Sequence, residues 1–318
     1  MTTYILRRLF LLVPTLLLIS VMTFLLIRMI PGDAALLMAL AGEEGVNDPT
    51  IIEPLRQKFG LDQPLHVQYL VWLWGLLRGD WGRSMWTNDD VLQEIVGRFP
   101  VTVEIAVGTM IVSLLFAIPA GILSAIRQDT AGDYAGRVLN IFGLSMPAFW
   151  IGTLLIIFPA LWFSYLPSLG YKAPWQDPWV NLQQMGFAWL AGGFHSAARV
   201  MRMTRSQMLE VLRQDYIRTA WAKGLRERVV IMRHAVRNAL ITVVTLSGLQ
   251  FGNLLGGTIV IEAVFGLPGV GQFVLNAVVK RDYPQIQAAL IFVAGVFVIV
   301  NLIVDVAYGW LDPRIRYS

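Results

Sequence analysis

The sequence predicts an all-α integral membrane protein with six transmembrane helices, a basic cytoplasmic loop between the fourth and fifth, and an external helical segment after the first span. Three observations predict it. The 318 residues are 56% hydrophobic and 14% charged with a mean hydropathy of +0.60, too apolar for an ordinary soluble domain. Six stretches approach the roughly 20 apolar residues that about 30 Å of hydrocarbon requires. Arginines gather at alternate ends of these stretches, as the retention of basic loops on the cytoplasmic side demands. That asymmetry accounts for the pI near 9.5 without nucleic acid. With no cysteine, the chain offers no disulfide, thiolate nucleophile or Cys-ligated metal site.

The first span is "LFLLVPTLLLISVMTFLLI", residues 9–27, and Arg7 and Arg8 before it place the N-terminus inside. It exceeds the 7 to 15 residues typical of a signal-peptide core and is closed by Arg28 and Pro31, so residues 1–30 read as a retained anchor. Residues 31–100 form an extracytoplasmic amphipathic segment, in which "PLRQKFGLDQPLHVQYLVWLWGLLRGDWG" mixes apolar runs with proline, glycine and charge. Its Trp72, Trp74, Trp81 and Trp86 are expected at headgroup level, on a segment that either caps the bundle or serves an external partner as platform or gate. Residues 101–309 form the core, with spans near 103–126, 138–163, 183–200, 238–261 and 286–308, and 310–318 are a cytoplasmic tail. Arg127, Arg137, Arg314, Arg316 and the basic run over 200–237 mark the inner side. Arg56, Lys58, Arg78, Arg83 and Arg98 lie in the long outer segment, where the charge rule weakens. The fourth span is the least apolar, and its Gly186, Gly192 and Gly193 suit tight packing against neighbouring helices.

The loop over 200–237 contains "DYIRTAWAKGLRERVVIMRHAVRNAL", residues 215–240. Asp215 is placed to cap a helix N-terminus, and Gly224, after Lys223, is placed to end it in the left-handed conformation. Between them Ile217, Ala220, Trp221 and Leu225 recur on one face of a helix of about two turns, too short to be stable alone. The pattern then resumes into the fifth span. Arginines here serve either orientation and lipid phosphates or a cytoplasmic partner.

The run D-Y-x-R-T-A-x-A-K-G-L followed by R-H-A-x-R-N-A-L resembles the cytoplasmic EAA-type loop of binding-protein-dependent ABC transporter permeases, and within them the dipeptide/oligopeptide and nickel group. "ILRRLF", "LIRMIPGD", "GLDQPLHVQYL", "LLRGDWGRS", "EAVFGLPGVGQ", "RDYPQIQ" and "LDPRIRY" extend the resemblance over nearly the whole chain. It implies that Asp215, Arg218, Thr219, Ala220, Trp221, Ala222, Lys223, Gly224 and Leu225 form a coupling helix seated on an ATP-binding subunit. It further implies a second, non-identical permease, two ATP-binding subunits that hold ATP and Mg, an extracytoplasmic substrate-binding protein, and a prokaryotic inner membrane with both termini cytoplasmic. Di- or oligopeptides are the first reading for the solute, with nickel and oligosaccharides as alternatives. The sequence departs from the wider consensus at Arg218 and Thr219, where glutamate and alanine are usual, at Thr242, where proline often follows N-A-L-L, and in the fourth span, which lacks an L-P-A-type run.

No cofactor and no catalysis are expected in this chain itself. In "GLPGVGQF", Gly266 and Gly271 have phosphate-loop spacing, but Gln272 and Phe273 stand where the lysine and hydroxyl belong. His66, His195 and His234 form no i, i+4 pair for a metal. A stand-alone intramembrane enzyme is the rival class, and no nucleophile elbow or acid pair supports it. Ionisable groups in spans are costly and therefore candidates for lining the route: Glu104, Glu262 and Asp305, with His195 and Asn253 among the polar ones. Glu104 and Glu262 are expected at partly hydrated outer ends, and Asn140, Ser145, Gln250 and Asn301 either line a path or join helices.

Overall fold

Apolar runs in a chain that must satisfy its own backbone groups become helices. The computed structural model of the chain describes residues 2–29, 34–41, 49–166 and 170–311. The elements are α1 (Thr2–Met29), α2 (Ala34–Ala41), α3 (Pro49–Lys58), α4 (Leu65–Leu77), α5 (Val91–Ile126), α6 (Ala131–Ser145), α7 (Ala148–Phe163), α8 (Pro178–Leu212) and α9 (Asp215–Ala222). They continue with α10 (Glu227–Val229), a π-helical segment (Val230–Val236), α11 (Arg237–Gly257), α12 (Ile259–Phe265), α13 (Val270–Lys280) and α14 (Tyr283–Leu311). Among the described residues the β-structure is one isolated antiparallel bridge, Arg83 to Asp90.

Among the described residues four helical stretches are long and apolar enough to cross a membrane: Leu12–Met29, Val91–Ile126, Glu227–Gly257 and Tyr283–Val304. Two bent pairs, α6 with α7 and α12 with α13, bring the number to as many as six where each pair is one broken span and not a re-entrant loop. The first bends by 101° ahead of Pro147, which has no N–H to continue a helix and excludes the α conformation from the residue before it. Residues 183–200, the expected fourth span, belong to α8, a continuous 35-residue helix whose buried face carries Asn181, Gln184, Ser196 and Thr204 and which is more polar than these stretches. The glycine-rich turn stands between α12 and α13, a bent pair with the form of a broken span or a re-entrant loop. Arg314 and Arg316 lie outside the described residues.

The chain divides into two compact units, Met1–Val101 with Pro268–Ile299, and Thr102–Leu267 with Val300–Ser318. In the first, Val91 and Ile95 pack with Val270, Phe273, Val274, Ala288 and Ala289. A second cluster joins Ile27 and Met85 to Ala277, Tyr283 and Ile286. Asp282 ties the loop before α5 to the start of α14: its buried carboxylate accepts from Ser84 Oγ (2.5 Å), the Met85 amide (3.1 Å) and the Gln285 amide (3.4 Å). The tryptophans expected at the lipid surface are mostly packing groups. Trp72 stacks on Phe24, Trp81 meets Phe292 edge-on, and Trp86 Nε1 donates to the Lys280 carbonyl (2.9 Å). Trp74 alone of the four is largely exposed, beneath the Arg78 guanidinium.

In the second unit α8 is the spine, packed against α6, α7, α11 and α12. Its N-terminus is capped by Asp177, whose Oδ1 accepts from the Val180 amide (3.1 Å), with Pro178 at the first helical position. The small residues of its buried face let helices approach closely: a Cβ on Gly193 would stand 2.4 Å from Val112 Cγ1 of α5. Further along, Asp133 is buried in the first turn of α6 and receives Arg205 Nε (3.0 Å) and Nη2 (2.9 Å) from α8, with Ser124 Oγ also donating to it.

Candidate functional site

The element that stands apart from the bundle's apolar logic is α9. Gln214, with an extended backbone, occupies the N-cap position, so Asp215 is the first helical residue and not the cap that its side chain suggested. The Asp215 carboxylate meets Arg218 instead (3.3 Å), still in the first turn where the helix dipole favours negative charge. At the other end Gly224 has φ +74°, its amide donates to the Trp221 carbonyl (2.9 Å), and the Leu225 amide donates to the Ala220 carbonyl (3.4 Å). This pair of bonds is a Schellman ending, and it requires the left-handed residue that glycine supplies without strain.

Between the two ends the helix is divided. Ile217 is 1% exposed, and with Ala220 it enters a cluster formed by Met208 of α8, Val230, Ile231, Ala235 and Val236 of the π-helical segment, Ala239 and Ala125. Burying Ile217 contributes about 2 to 3 kcal/mol, enough to hold an element too short to persist alone. Trp221 and Leu225 do not share that burial. Trp221 is 46% exposed, because the floor beneath α9 receives only Ile217 and Ala220. Arg218, Thr219, Ala222, Lys223 and Gly224 are exposed as well, and Arg213, Arg226, Arg228, Arg233 and Arg237 add positive charge around them. Tyr216 receives Asn238 Nδ2 (3.2 Å), which also donates to the His234 carbonyl (2.7 Å) and fixes the helix to the next span. One face is thus built into the bundle while the other presents an exposed tryptophan in a segment rich in arginine.

The polar residues expected along a route are dispersed. Glu262 is fully buried, not partly hydrated, and its Oε1 accepts from Thr102 (2.8 Å) and Thr258 (2.9 Å), which replace water around the carboxylate. Glu104, two residues on from Thr102 and so on another face of α5, accepts from the Tyr171 phenol (2.7 Å). Burial, and then that hydrogen bond, hold the Tyr171 phenol well above the usual tyrosine range. His195 lies near the α6–α7 break, with Nδ1 3.3 Å from the Met146 carbonyl and Nε2 3.0 Å from Arg199 Nη2. Asn253 is exposed on α11, and the Asp305 side chain lies outside the described residues. A cavity of about 670 Å³ in this unit is lined by Asn140, one of the polar residues so expected, together with Arg137, Met201, Arg202, Arg205 and Arg213. Sequence reasoning missed Asp133 and Arg205, which stand 72 residues apart and share no local spacing.

Apolar helices of spanning length, broken helix pairs and an anchored short helix within a basic loop together define a multi-pass membrane protein. The chain belongs to the family of binding-protein-dependent transport system inner membrane components, whose model matches residues 117–317, and the model of that family's N-terminal part matches residues 1–106. It is a permease subunit of an ABC importer, in the peptide group, and works with other subunits in the inner membrane. It is 42% identical over 318 residues, the full length of both chains, to the glutathione transport system permease protein GsiC of Salmonella typhimurium. It is 39% identical over 338 aligned positions, again all of both chains, to the dipeptide transport system permease protein DppB of Alkalihalophilus pseudofirmus. Among solved structures, the inward-facing MetNI methionine ABC transporter aligns with TM-score 0.55 at 15% identity, over 70% of this chain and 97% of that one. An amino acid ABC transporter aligns with TM-score 0.53 at 12% identity, over 70% and 95%. These two share the fold.

Proposed function

We propose that the chain forms half of a transmembrane pathway for short peptides, glutathione-like ones included, and that α9 is the helix through which ATP-binding subunits move it. In this reading it pairs with a second, similar permease, two ATP-binding subunits hold ATP and Mg and carry out hydrolysis, and an external binding protein delivers the solute. Both termini and α9 lie on the cytoplasmic side, in keeping with Arg127, Arg137 and the basic run over 200–237. The observation that carries the reading is the division of α9: Ile217 and Ala220 bind it to the bundle, while Arg218, Trp221, Ala222 and Lys223 are presented outward. A helix fixed on one side and exposed on the other transmits displacement, provided that the ATP-binding subunits bind the two states of the permease with different affinity. Glu104, His195, Asn253, Glu262 and Asp305 belong to this proposal only as residues bordering or stabilising the path.

The chain contains no cysteine, so a single introduced one is uniquely addressable. Ala222→Cys is expected to react with a membrane-impermeant maleimide in inside-out vesicles and to be protected once ATP-binding subunits are added. Reaction in right-side-out vesicles, or no protection in the assembled transporter that imports a dipeptide, overturns the assignment.

A further inference from the structure

Arg28, Trp72 and Gln287 line a cavity of about 220 Å³ in the first unit. Each keeps a solvent-shielded N–H group with no acceptor among the described residues: Arg28 Nη1, Trp72 Nε1 and Gln287 Nε2. Gln287 is only 3% exposed. Buried donors without partners are rare in native proteins, and three on one cavity mark the place of an absent acceptor. Arg28 is also held in a fixed pose. Its Nε and Nη2 donate to Gln68 Oε1 (3.0 and 2.8 Å), and the Gln68 amide NH₂ donates to the Leu61 and Gln63 carbonyls, which fixes the oxygen toward the guanidinium. The rings of Phe24 and Tyr283 lie 4.4 and 4.7 Å from the guanidinium carbon. Among the described residues no carboxylate pairs with Arg28, although it ends an apolar span where an ionisable group is costly unless it serves a partner.

The cavity therefore offers a permanent cation and orphaned donors between apolar walls such as Phe59, Val71 and Met85. Water accepts hydrogen bonds but brings no counter-charge. The group that answers all three donors and the charge is an acceptor-only anion on an apolar body. We propose that this cavity receives a carboxylate of the solute, and specifically the C-terminal residue of a peptide. The volume is on the scale of one residue. This inference rests on the peptide reading above. Arg28 Nη1 supplies the charged donor to the carboxylate, Trp72 and Gln287 one donor each, and the walls take the terminal side chain.

The test uses the assembled transporter in lipid nanodiscs, with dialanine, dialanine amide, acetate and inorganic phosphate as probes. Dialanine binding is expected to weaken at least about tenfold in Arg28→Gln, and a few-fold in Trp72→Phe, which keeps an aromatic ring and removes the N–H. It is expected to be unchanged in Arg78→Gln, which removes an exposed cation. The amide is expected to bind at least about tenfold more weakly than the free acid, and acetate to compete where phosphate does not. Equal binding of acid and amide, wild-type binding by both variants, or competition by phosphate in preference to acetate overturns the proposal. If Arg28→Gln fails to assemble, Trp72→Phe and the amide comparison decide it. If the wild type neither binds nor imports any peptide, the peptide reading fails, and the carboxylate site is judged by acetate alone. An acetate-induced rise in Tm that Trp72→Phe reduces supports the site, and no rise overturns it.

Discussion

Arg205 of α8 holds the buried Asp133 of α6 through two N–H groups, Nε to Oδ1 at 3.0 Å and Nη2 to Oδ2 at 2.9 Å. The hydrogen bonds from Arg205, and then those from Ser124 and the Asp129 amide, keep the Asp133 carboxyl well below the ordinary carboxylate range against the opposing cost of burial. Asp133 lies ahead of the apolar part of its helix pair, at the end where α8 leads into α9. Removing one partner of a buried pair leaves the other uncompensated, so Asp133→Ala is expected to lower stability by about 3 to 5 kcal/mol. Because the folded-state pKa is depressed, the ionised form stabilises the fold above the unfolded value of about 3.9, and that stabilisation is lost as pH falls toward the folded value. The Tm difference between wild type and Asp133→Ala in detergent should therefore be constant from neutral pH down to about pH 5 and narrow below about pH 4. A gap that widens on acidification contradicts the pairing.

Gly224 ends α9 at φ +74°, and a Cβ there would meet nothing within 4 Å. Any penalty for replacing it is thus conformational and not steric crowding. A β-branched residue is strained in the left-handed region by about 1 to 2 kcal/mol, whereas asparagine tolerates it. Gly224→Val is expected to reduce import per ATP hydrolysed in the reconstituted transporter while leaving membrane yield intact, and Gly224→Asn to retain most of it. Equal coupling in both variants would show that the ending of α9 does not matter.

The two faces of α9 should separate stability from coupling. Ile217→Ala opens a cavity in the cluster with Met208 and Val230 and is expected to cost about 2 to 4 kcal/mol. Trp221→Ala removes a half-exposed ring and is expected to change Tm little, yet to lower ATPase stimulation by solute at least several-fold. Thermal melts and ATPase assays on the two variants check this, and a Trp221 variant with unchanged stimulation counts against docking on that face.

What could be read beforehand was local. The spans are runs of apolar residues, and the end of α9 follows from Gly224 together with the spacing of Ile217 and Ala220, all within a few residues of one another. The π-helical turn at Val230–Val236 shifts hydrogen bonding by one residue without changing composition, so nothing in "VIMRHAV" announces it. Ser84 and Asp282 meet across 198 residues, and Glu262 is buried because Thr102, 160 residues away, supplies a hydroxyl. Position along a span suggested hydration for Glu262, but tertiary neighbours determined its burial. For α8, by contrast, the small residues already pointed to close helix packing, and Gly192 and Gly193 lie on the buried face.

That packing can be tested at Gly193. A Cβ added there would stand 2.4 Å from Val112 Cγ1 and 2.8 Å from Val112 Cβ, closer than real contacts allow, so α8 and α5 must separate locally to admit it. Overpacking of this kind typically costs about 1 to 3 kcal/mol. Gly193→Ala is therefore expected to lower Tm, and Val112→Ala, which removes the opposing methyls, is expected to destabilise mildly by itself. Combined, the two should restore most of the loss, with a coupling of about 0.5 to 3 kcal/mol in the double-mutant cycle. Because α8 runs from this contact to Leu212, with two residues between it and α9, the rescue should extend to import rate as well as Tm. Additive effects in the cycle would place the α5–α8 contact elsewhere, while rescued stability without rescued import would separate helix packing from the transmission of movement to α9.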